Sequence, residues 1–426
     1  MPFRSSRKRG RWIYAISLIF LLFPSIPVWA SEFHVDTTFL GQTRINENNQ
    51  RETPLNGYLG FGGSQEGGWR LEGQADMRFF GDPSLSISEY DLYQAVLHFT
   101  PVEKLKVDFG RQFVNQGFYA AVMDGIKTTI SPSKYLDVVL YTGIPRSVET
   151  GDFNKNDGLL TGLSLGLQGV PKTSARLHVA WRKNNIRFGN LPVNDEILLG
   201  FDASHQFGGP VKPMIYGLFE YDVPAKVVDA GTLGVDLYPH RRVSLNLEFN
   251  YFNINRNTNQ PTVFGIFGQG PVFNAHFSST WIAITGLMDV VQTYSYNNVE
   301  IQEGASRQNG HLFDIAFPFS FDSIGLYFQP EYYFQKSFGG TAHGVRGTIH
   351  EDFPKKVSLD LGVEYTNFKK VTNDNGFAFS TVIWAGYEII KNLKVSAGFE
   401  FNKNPFFDQD IRGSWKISYQ YDRKKL

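Results

Sequence analysis

Polar and apolar residues alternate strictly along many stretches of this chain. In 69–79, WRLEGQADMRF, every odd position is apolar or small and every even position is polar or charged. The alternation returns in 175–182, 243–251, 326–335, 357–365, 395–402 and 415–422. Because successive side chains of a β-strand point to opposite faces, this period of two predicts strands with one apolar and one polar face.

The connections between the predicted strands are short in some places and long in others. The short polar turns are 101–104, 171–174, 208–210, 240–242, 354–356 and 391–393, and the longer polar segments are 46–54, 81–89, 146–157, 184–194 and 402–410. This rhythm is typical of an up-and-down meander in an outer membrane, with tight periplasmic turns and longer external loops. No helical period or linker interrupts it, so a single all-β domain is expected.

The ends of the apolar faces help to distinguish a membrane barrel from a soluble β-sandwich, which also alternates. Several of these faces end in aromatic residues, as interfacial girdles do: Trp69, Phe79, Trp181, Tyr365, Trp415 and Tyr421. In lipid every backbone group must be paired, and closing a sheet removes its unpaired edges. Residues 31–426 are therefore predicted to form a single transmembrane antiparallel up-and-down β-barrel of about 20 strands, within a range of roughly 16–22.

The first 30 residues differ from the rest. A basic start is followed by the apolar run 12–23, WIYAISLIFLLF, and by a small-x-small pattern at 28–30. This is the pattern of a cleaved secretory signal peptide. The alternative is an uncleaved anchor, but spanning a bilayer takes about 20 apolar residues. An exported barrel is expected in the bacterial outer membrane, with outer-membrane lipid and the barrel assembly machinery as partners.

The amino-acid composition excludes several kinds of functional site. The chain has no cysteine, which excludes disulfides, thiolate metal sites and covalent haem attachment. Without the five basic residues of 1–30, the 41 Lys and Arg become 36 against 41 acidic residues, a net charge of −5 that predicts no nucleic-acid partner. The nine His are scattered, and neither HExxH nor GxSxG occurs. No enzyme activity, cofactor or metal site is expected.

One segment of the sequence is similar to a pattern found in known proteins. Residues 109–127 read FGRQFVNQGFYAAVMDGIK. With this segment the chain resembles Gram-negative outer-membrane porin-type β-barrel proteins. Its local pattern is similar to one in porin-like and alginate-export-like families, at Gly110, Arg111, Gln112, Asp124 and Gly125. Those families pass solutes or polymers passively through the barrel, so the resemblance implies a channel.

The charged residues of the polar faces are the candidates for lining the lumen. They are Arg70, Glu72, Asp76, Arg78, Lys106, Asp108, Arg111, Arg176, Arg182, Glu248, Asp360, Glu364, Glu400 and Lys416. Their mixed signs do not predict the one-sign ring of a strict ion filter. The alternative for each is a bracing pair with a neighbouring strand. Arg111 is lumenal only if a bulge near Gly110 turns it inward, and otherwise it is a rim arginine paired with Asp124.

Segment 256–307 is the longest without clear alternation. Long irregular loops in compact domains are usually functional, so an external loop folded into the lumen as a constriction is predicted here. The constriction candidates are Phe264, Phe267, Gln269, Trp281 and Asp289. The alternative is an extra hairpin, which raises the strand count to 22.

The function predicted from these features is passive diffusion of small hydrophilic solutes through a water-filled lumen with mixed charges. Two alternatives stay open. The barrel could be the sheath of a porin–cytochrome electron conduit, in which an exported multihaem cytochrome supplies the haem because this chain has no CxxCH. It could also be an alginate-type polysaccharide export channel, which rests on the Gly-Arg-Gln pattern.

Overall fold

The chain forms one continuous wall of antiparallel strands. The computed structural model describes residues 32–45, 51–66, 70–82, 87–116, 119–146, 158–183, 187–188, 191–192, 195–253, 271–300, 307–337, 339–353, 356–370, 375–404 and 409–424. The first eleven long strands are β1 Glu32–Ile45, β2 Leu55–Glu66, β3 Arg70–Asp82, β4 Ile87–Val102, β5 Leu105–Gln116, β6 Tyr119–Ser133, β7 Leu136–Arg146, β8 Leu159–Leu167, β9 Thr173–Lys183, β10 Glu196–Gln206 and β11 Met214–Asp222. The other eleven are β12 Val227–His240, β13 Val243–Asn253, β14 Pro271–Ile284, β15 Met288–Val299, β16 Gln308–Ala316, β17 Leu326–Ser337, β18 Gly340–Phe353, β19 Val357–Lys370, β20 Asn375–Ile390, β21 Leu393–Lys403 and β22 Asp410–Lys424.

The sheet closes on itself. Each strand pairs with the next, and β1 pairs with β22 from Glu32 opposite Lys424 to Arg44 opposite Arg412. Shorter pieces add to this plan: Phe319–Phe321 continues β16, and Arg187–Phe188 pairs with Leu191–Pro192 between β9 and β10. The result is a closed antiparallel barrel of 22 strands, which confirms the predicted fold class at the upper end of the expected count.

The two rims of the barrel differ in the length of their connections. β1 begins and β22 ends at the same rim, where the turns 103–104, 134–135 and 241–242 are only two residues long. The strand ends that flank the longest stretches between strands, among them Asn253 and Pro271, lie at the other rim. Short turns together with the start of the first strand and the end of the last strand mark the periplasmic rim of an outer-membrane barrel, so the opposite rim is external.

The outer face carries a belt of exposed apolar side chains. Leu233, Val345 and Val363 are 58%, 53% and 39% exposed, and most of the strands carry exposed apolar residues on the same face. Apolar surface in water costs roughly 25 cal/mol per Å², and a belt around a whole barrel is far larger than the patches that soluble proteins tolerate. The belt is therefore the surface that faces the acyl chains of a membrane. Among the described residues, no helix is long and apolar enough to cross a membrane.

The constriction-loop prediction for 256–307 is wrong where the segment is described. Trp281 lies on β14 and Asp289 on β15, and the turn 285–287 joins these two wall strands. The alternation of β14 was hard to see in the sequence because its polar face has an apolar residue near each end, Val272 and Ile282. The hairpin brings the strand count to 22. The other three candidates, Phe264, Phe267 and Gln269, lie outside the described residues.

Adjacent positions of β19 test which face meets lipid. Val363 faces outward, whereas Gly362 faces inward, where an added side chain would meet no atom within 4 Å. Val363→Arg is expected to lower the free energy of unfolding by about 2–4 kcal/mol, because it places a charge in the hydrocarbon layer. Gly362→Arg is expected to cost much less. Guanidinium unfolding in lipid vesicles measures both, and equal losses would contradict the assignment of faces.

Candidate functional site: the inner wall of the barrel

Every lumen candidate except Arg111 lies on the face opposite the apolar belt. On β3 the register sets Glu72 opposite Ser64, Asp76 opposite Gly60 and Arg78 opposite Tyr58 of β2. The remaining candidates on this inner face are Arg70, Lys106, Asp108, Arg176, Arg182, Glu248, Asp360, Glu364, Glu400 and Lys416. The alternation in the sequence thus brings these charges to one surface.

A hydrogen-bonded network covers the inner wall from β11 to β13. The Tyr216 hydroxyl donates to Glu248 Oε2 at 2.7 Å and accepts from Asn246 Nδ2 at 2.9 Å. The same amide donates to Asp236 Oδ1 at 2.7 Å. Asn250 Nδ2 donates to the second Glu248 oxygen at 2.7 Å. Each charged group here is braced by neutral donors, and such cross-strand pairs stabilise a sheet.

A second network runs across β17 to β22 and surrounds a polar cleft of about 240 Å³. The Tyr333 hydroxyl donates to Glu364 Oε1 at 2.6 Å on one side of the cleft. On the other side, Arg412 Nη1 lies 3.6 Å from Glu400 Oε1 and Nη2 lies 2.5 Å from Asp410 Oδ2. The cleft therefore brings together two predicted lumen residues, Glu364 and Glu400. With Asp410 they make three acids, against the two cations Arg412 and Lys403.

The two tyrosines of these networks are residues that sequence reasoning missed. Tyr216 lies over Gly234 of the next strand, and Tyr333 lies over Gly344, so that a side chain at either glycine would collide with the ring. Glycine at these positions lets each ring lie flat on the wall with its hydroxyl beside a glutamate. The signal was the Gly–Tyr pairing across strands, which cannot be found without the strand register.

Part of the inner wall is apolar, which differs from the expectation of a hydrated face on every strand. Val114, Met123, Tyr141, Leu160 and Leu198 form a cluster on β5 to β10, and each is 6% exposed or less. The cause is visible in the sequence: β7 reads LDVVLYTGIPR and β8 reads LLTGLSLGL, so apolar residues occupy both faces there. The inner wall therefore has an apolar patch on six of its 22 strands, and the polar networks described above lie on other strands.

Asp108 is the most enclosed of the predicted lumen charges. It is 0% exposed, and its carboxylate lies 2.6 Å from His98 Nδ1, 2.9 Å from Lys127 Nζ and 3.6 Å from Lys106 Nζ. A buried carboxylate is stable only when it is paired in this way. Asp108 thus braces β4, β5 and β6.

The structure contradicts the assignment of Arg111 to the lumen. Although Gly110 has a φ of 111°, the register is continuous through it on both sides, so no extra residue turns Arg111 inward. Phe109 and Phe113 on the same face are 41% and 51% exposed. Arg111 therefore has the outward register.

Arg111 is held by a compact ion cluster. Its Nε and Nη2 lie 2.7 and 3.0 Å from the two Asp124 oxygens, and Arg146 Nε lies 2.7 Å from Asp124 Oδ2. Arg111 Nη1 also donates to the Leu92 carbonyl at 2.8 Å, just beyond the last β4–β5 pair at Ala95 and Arg111. The guanidinium thus bridges the point where these two strands separate.

No group of three or more His, Cys, Asp or Glu side chains suited to a metal ion is present in the described part of the chain. The ion clusters of the wall consist of acids already paired with Arg, Lys or His.

Comparison with known proteins adds distant structural likenesses. No protein-family model matches the sequence, and a search of curated proteins found no match. The outer membrane protein opdK of Pseudomonas aeruginosa aligns with a TM-score of 0.47 at 9% identity, over 92% of this chain and 99% of that chain. Acinetobacter baumannii OccAB4 aligns at 0.45 and 8%, over 92% and 98% of the two chains. Pseudomonas aeruginosa OccK3 (OpdO) aligns at 0.43 and 11%, over 94% and 99%. TM-scores and identities this low carry no conclusion about solute or selectivity.

The closed wall, the apolar belt and the polar interior define a class of protein. In lipid only helices and closed barrels satisfy every backbone group, and barrels of this kind belong to bacterial outer membranes. The chain is therefore a closed transmembrane β-barrel of the kind found in bacterial outer membranes.

Asp124 is expected to be essential for stability because it neutralises two enclosed guanidiniums. Asp124→Ala should lower the free energy of unfolding by about 3–5 kcal/mol, the usual cost of leaving a buried charge unpaired. The exposed pair Arg70–Glu72, 3.5 Å apart, provides the control. Glu72→Ala should cost about 0–1 kcal/mol. Denaturant unfolding in vesicles measures both, and a small effect at Asp124 would show that the cluster is not structural.

Proposed function

We propose that this protein is a passive channel for small hydrophilic solutes. The observation that carries the proposal is the polar inner wall, which extends from β11 through β22 and on to β4. A row of charged and amide side chains is costly to bury without water. A hydrated lumen removes that cost and gives solutes a path between the rims.

The size of the barrel supports the same proposal. A circle of 22 strands is too wide for side chains alone to fill. Known barrels of this width are often closed by a separate plug domain. Within the residues that the structure describes, every long strand belongs to the wall, and no separate folded domain lies inside it.

The charges of the wall support a weak rather than a strict selectivity. Positive side chains such as Arg176, Arg182 and Lys416 share the inner face with Glu248 and Glu364. A strict ion filter needs a ring of one sign. Many of these charges are also neutralised by neighbours, as at Asp108, so the lumen accepts solutes of either sign and acts mainly as a size filter.

Conductance across a planar bilayer tests the proposal. The purified barrel is expected to give ohmic, long-lived openings in potassium chloride, because ions cross a water-filled lumen without a gating step. Proteoliposomes placed in isotonic sugar solutions should swell as the sugar enters. The rate of swelling, followed by light scattering, should fall as the sugar becomes larger. A barrel that inserts into the bilayer but conducts no current would contradict the proposal that it is a channel.

The glutamates of the polar cleft, Glu364 and Glu400, predict a specific change in ion preference. The double variant Glu364→Gln with Glu400→Gln should lower the ratio of potassium to chloride permeability by about two- to fivefold. The reason is that the interaction energy between a fixed charge and a nearby ion in water is roughly 1 kcal/mol. Asp322→Asn, in a periplasmic turn, is the matched control and should leave the ratio unchanged. The reversal potential in a salt gradient measures the ratio, and equal shifts in both variants would place the ion path away from the cleft.

A further inference from the structure

Within the described residues, the outer face carries an open apolar groove in addition to the general belt. It has a volume of about 720 Å³ and crosses β9 to β14. Phe201, Phe219 and Leu233 form its walls and are 48%, 46% and 58% exposed. All three lie on the lipid-facing side of their strands.

The floor of the groove is formed by small residues. Gly217 of β11 and Gly231 of β12 lie on the outer face between the larger side chains, and Ala203 of β10 continues the floor. The groove exists because Ala203 and Gly217 are direct cross-strand neighbours and Gly231 lies diagonal to Gly217, so that little side chain covers the wall between Phe201, Phe219 and Leu233. Its apolar lining suits a hydrocarbon chain.

The groove has a polar end at the periplasmic rim. Thr173 and His205 line it there, and the Thr173 hydroxyl lies 2.7 Å from His205 Nδ1. The opposite end, toward the external rim, is lined by Tyr251 and Phe273. A molecule with an apolar tail and a polar head therefore fits with its head at the periplasmic side.

Three periplasmic turns meet at this polar end. The backbone N–H of Gln206 donates to the Lys172 carbonyl at 2.8 Å, and the N–H of Tyr238 donates to the Val211 carbonyl at 2.9 Å. The turns bring four exposed cations to the rim: Lys172, Lys212, Arg241 and Arg242. The segments 168–174, 205–213 and 238–244 contain no Asp or Glu, and none of the four cations forms an ion pair within the described residues.

We propose that this groove is a binding site for one anionic phospholipid of the periplasmic leaflet. An acyl chain lies over the floor at Gly217 and Gly231, and the anionic headgroup lies at the rim, beside the turns that carry these cations. Unneutralised Lys and Arg at a membrane surface attract anionic headgroups. The charge of the rim selects the phospholipid over a second copy of the barrel, because a second copy would bring the same four cations to the contact.

Glycine substitutions on opposite sides of the barrel provide the test. At Gly231 an added Cβ would meet its nearest atom, the Leu218 carbonyl oxygen, at 3.9 Å, so the backbone tolerates a side chain there and Gly231→Leu places one over the floor of the groove. Gly347 of β18 also faces outward, with no atom within 4 Å of an added Cβ. Gly347→Leu is therefore the matched control. Retained heat-modifiable gel migration shows that each variant is folded.

Native mass spectrometry of the delipidated protein measures the binding. The probes are palmitoyl-oleoyl phosphatidylglycerol and the corresponding phosphatidylcholine. The unmodified protein is expected to bind one phosphatidylglycerol about tenfold more tightly than phosphatidylcholine. Gly231→Leu should weaken phosphatidylglycerol binding by about tenfold or more, and Gly347→Leu should not change it. The pair Lys212→Gln with Arg241→Gln should remove the preference between the two lipids.

Three results would overturn the proposal. Equal lipid binding in Gly231→Leu and Gly347→Leu would show that lipid coats the belt without a site. Equal affinity for the two headgroups in the unmodified protein would remove the role of the cations. A dimer that Gly231→Leu dissociates would show that a second copy occupies the groove instead.

Discussion

The hydrogen bonds between the first and last strands are the constraint on which the rest of the structure depends. A β-strand at an open edge leaves its N–H and C=O groups unpaired, and no water is available in a bilayer to satisfy them. The pairing of β1 with β22 over the whole length of β1 removes both edges at once. Closure fixes an inside and an outside, and every side chain is then assigned to one or the other by its position in the strand.

The two sides solve different problems. The outer face is mainly apolar, apart from the ion cluster of Arg111, Asp124 and Arg146, and where β10 to β12 place small residues between larger ones, a groove results. The inner face must keep charges paired or hydrated, and it does so with networks such as Tyr216–Glu248 and Tyr333–Glu364. The apolar cluster around Met123 occupies the inner face of β5 to β10, so the polar networks lie on other strands of the wall. The shape of the lumen thus follows from which strands alternate and which are apolar on both faces.

The sequence alone was sufficient for features that depend on a period of two. The alternation of 69–79 predicted which residues of β3 share the inner face, and the aromatic ends predicted a membrane rather than a soluble sheet. Features that depend on register could not be predicted. The face of Arg111 depended on whether Gly110 adds a residue to the strand, and the sequence permits both outcomes. Trp281 and Asp289 were assigned to a loop because apolar residues at the ends of β14 concealed the alternation. Tyr216 and Tyr333 were missed because their role depends on glycines in neighbouring strands.

Labelling of single cysteines along β3 tests the partition of faces most directly. The chain has no cysteine of its own, so one cysteine at a time can be placed at each position from 71 to 77 without a background signal. The barrel in vesicles is then exposed to a water-soluble maleimide and, separately, to a maleimide that partitions into lipid. The expected result is that even positions react with the first reagent and odd positions with the second. Reaction of odd and even positions with the water-soluble reagent at the same rate would contradict the account.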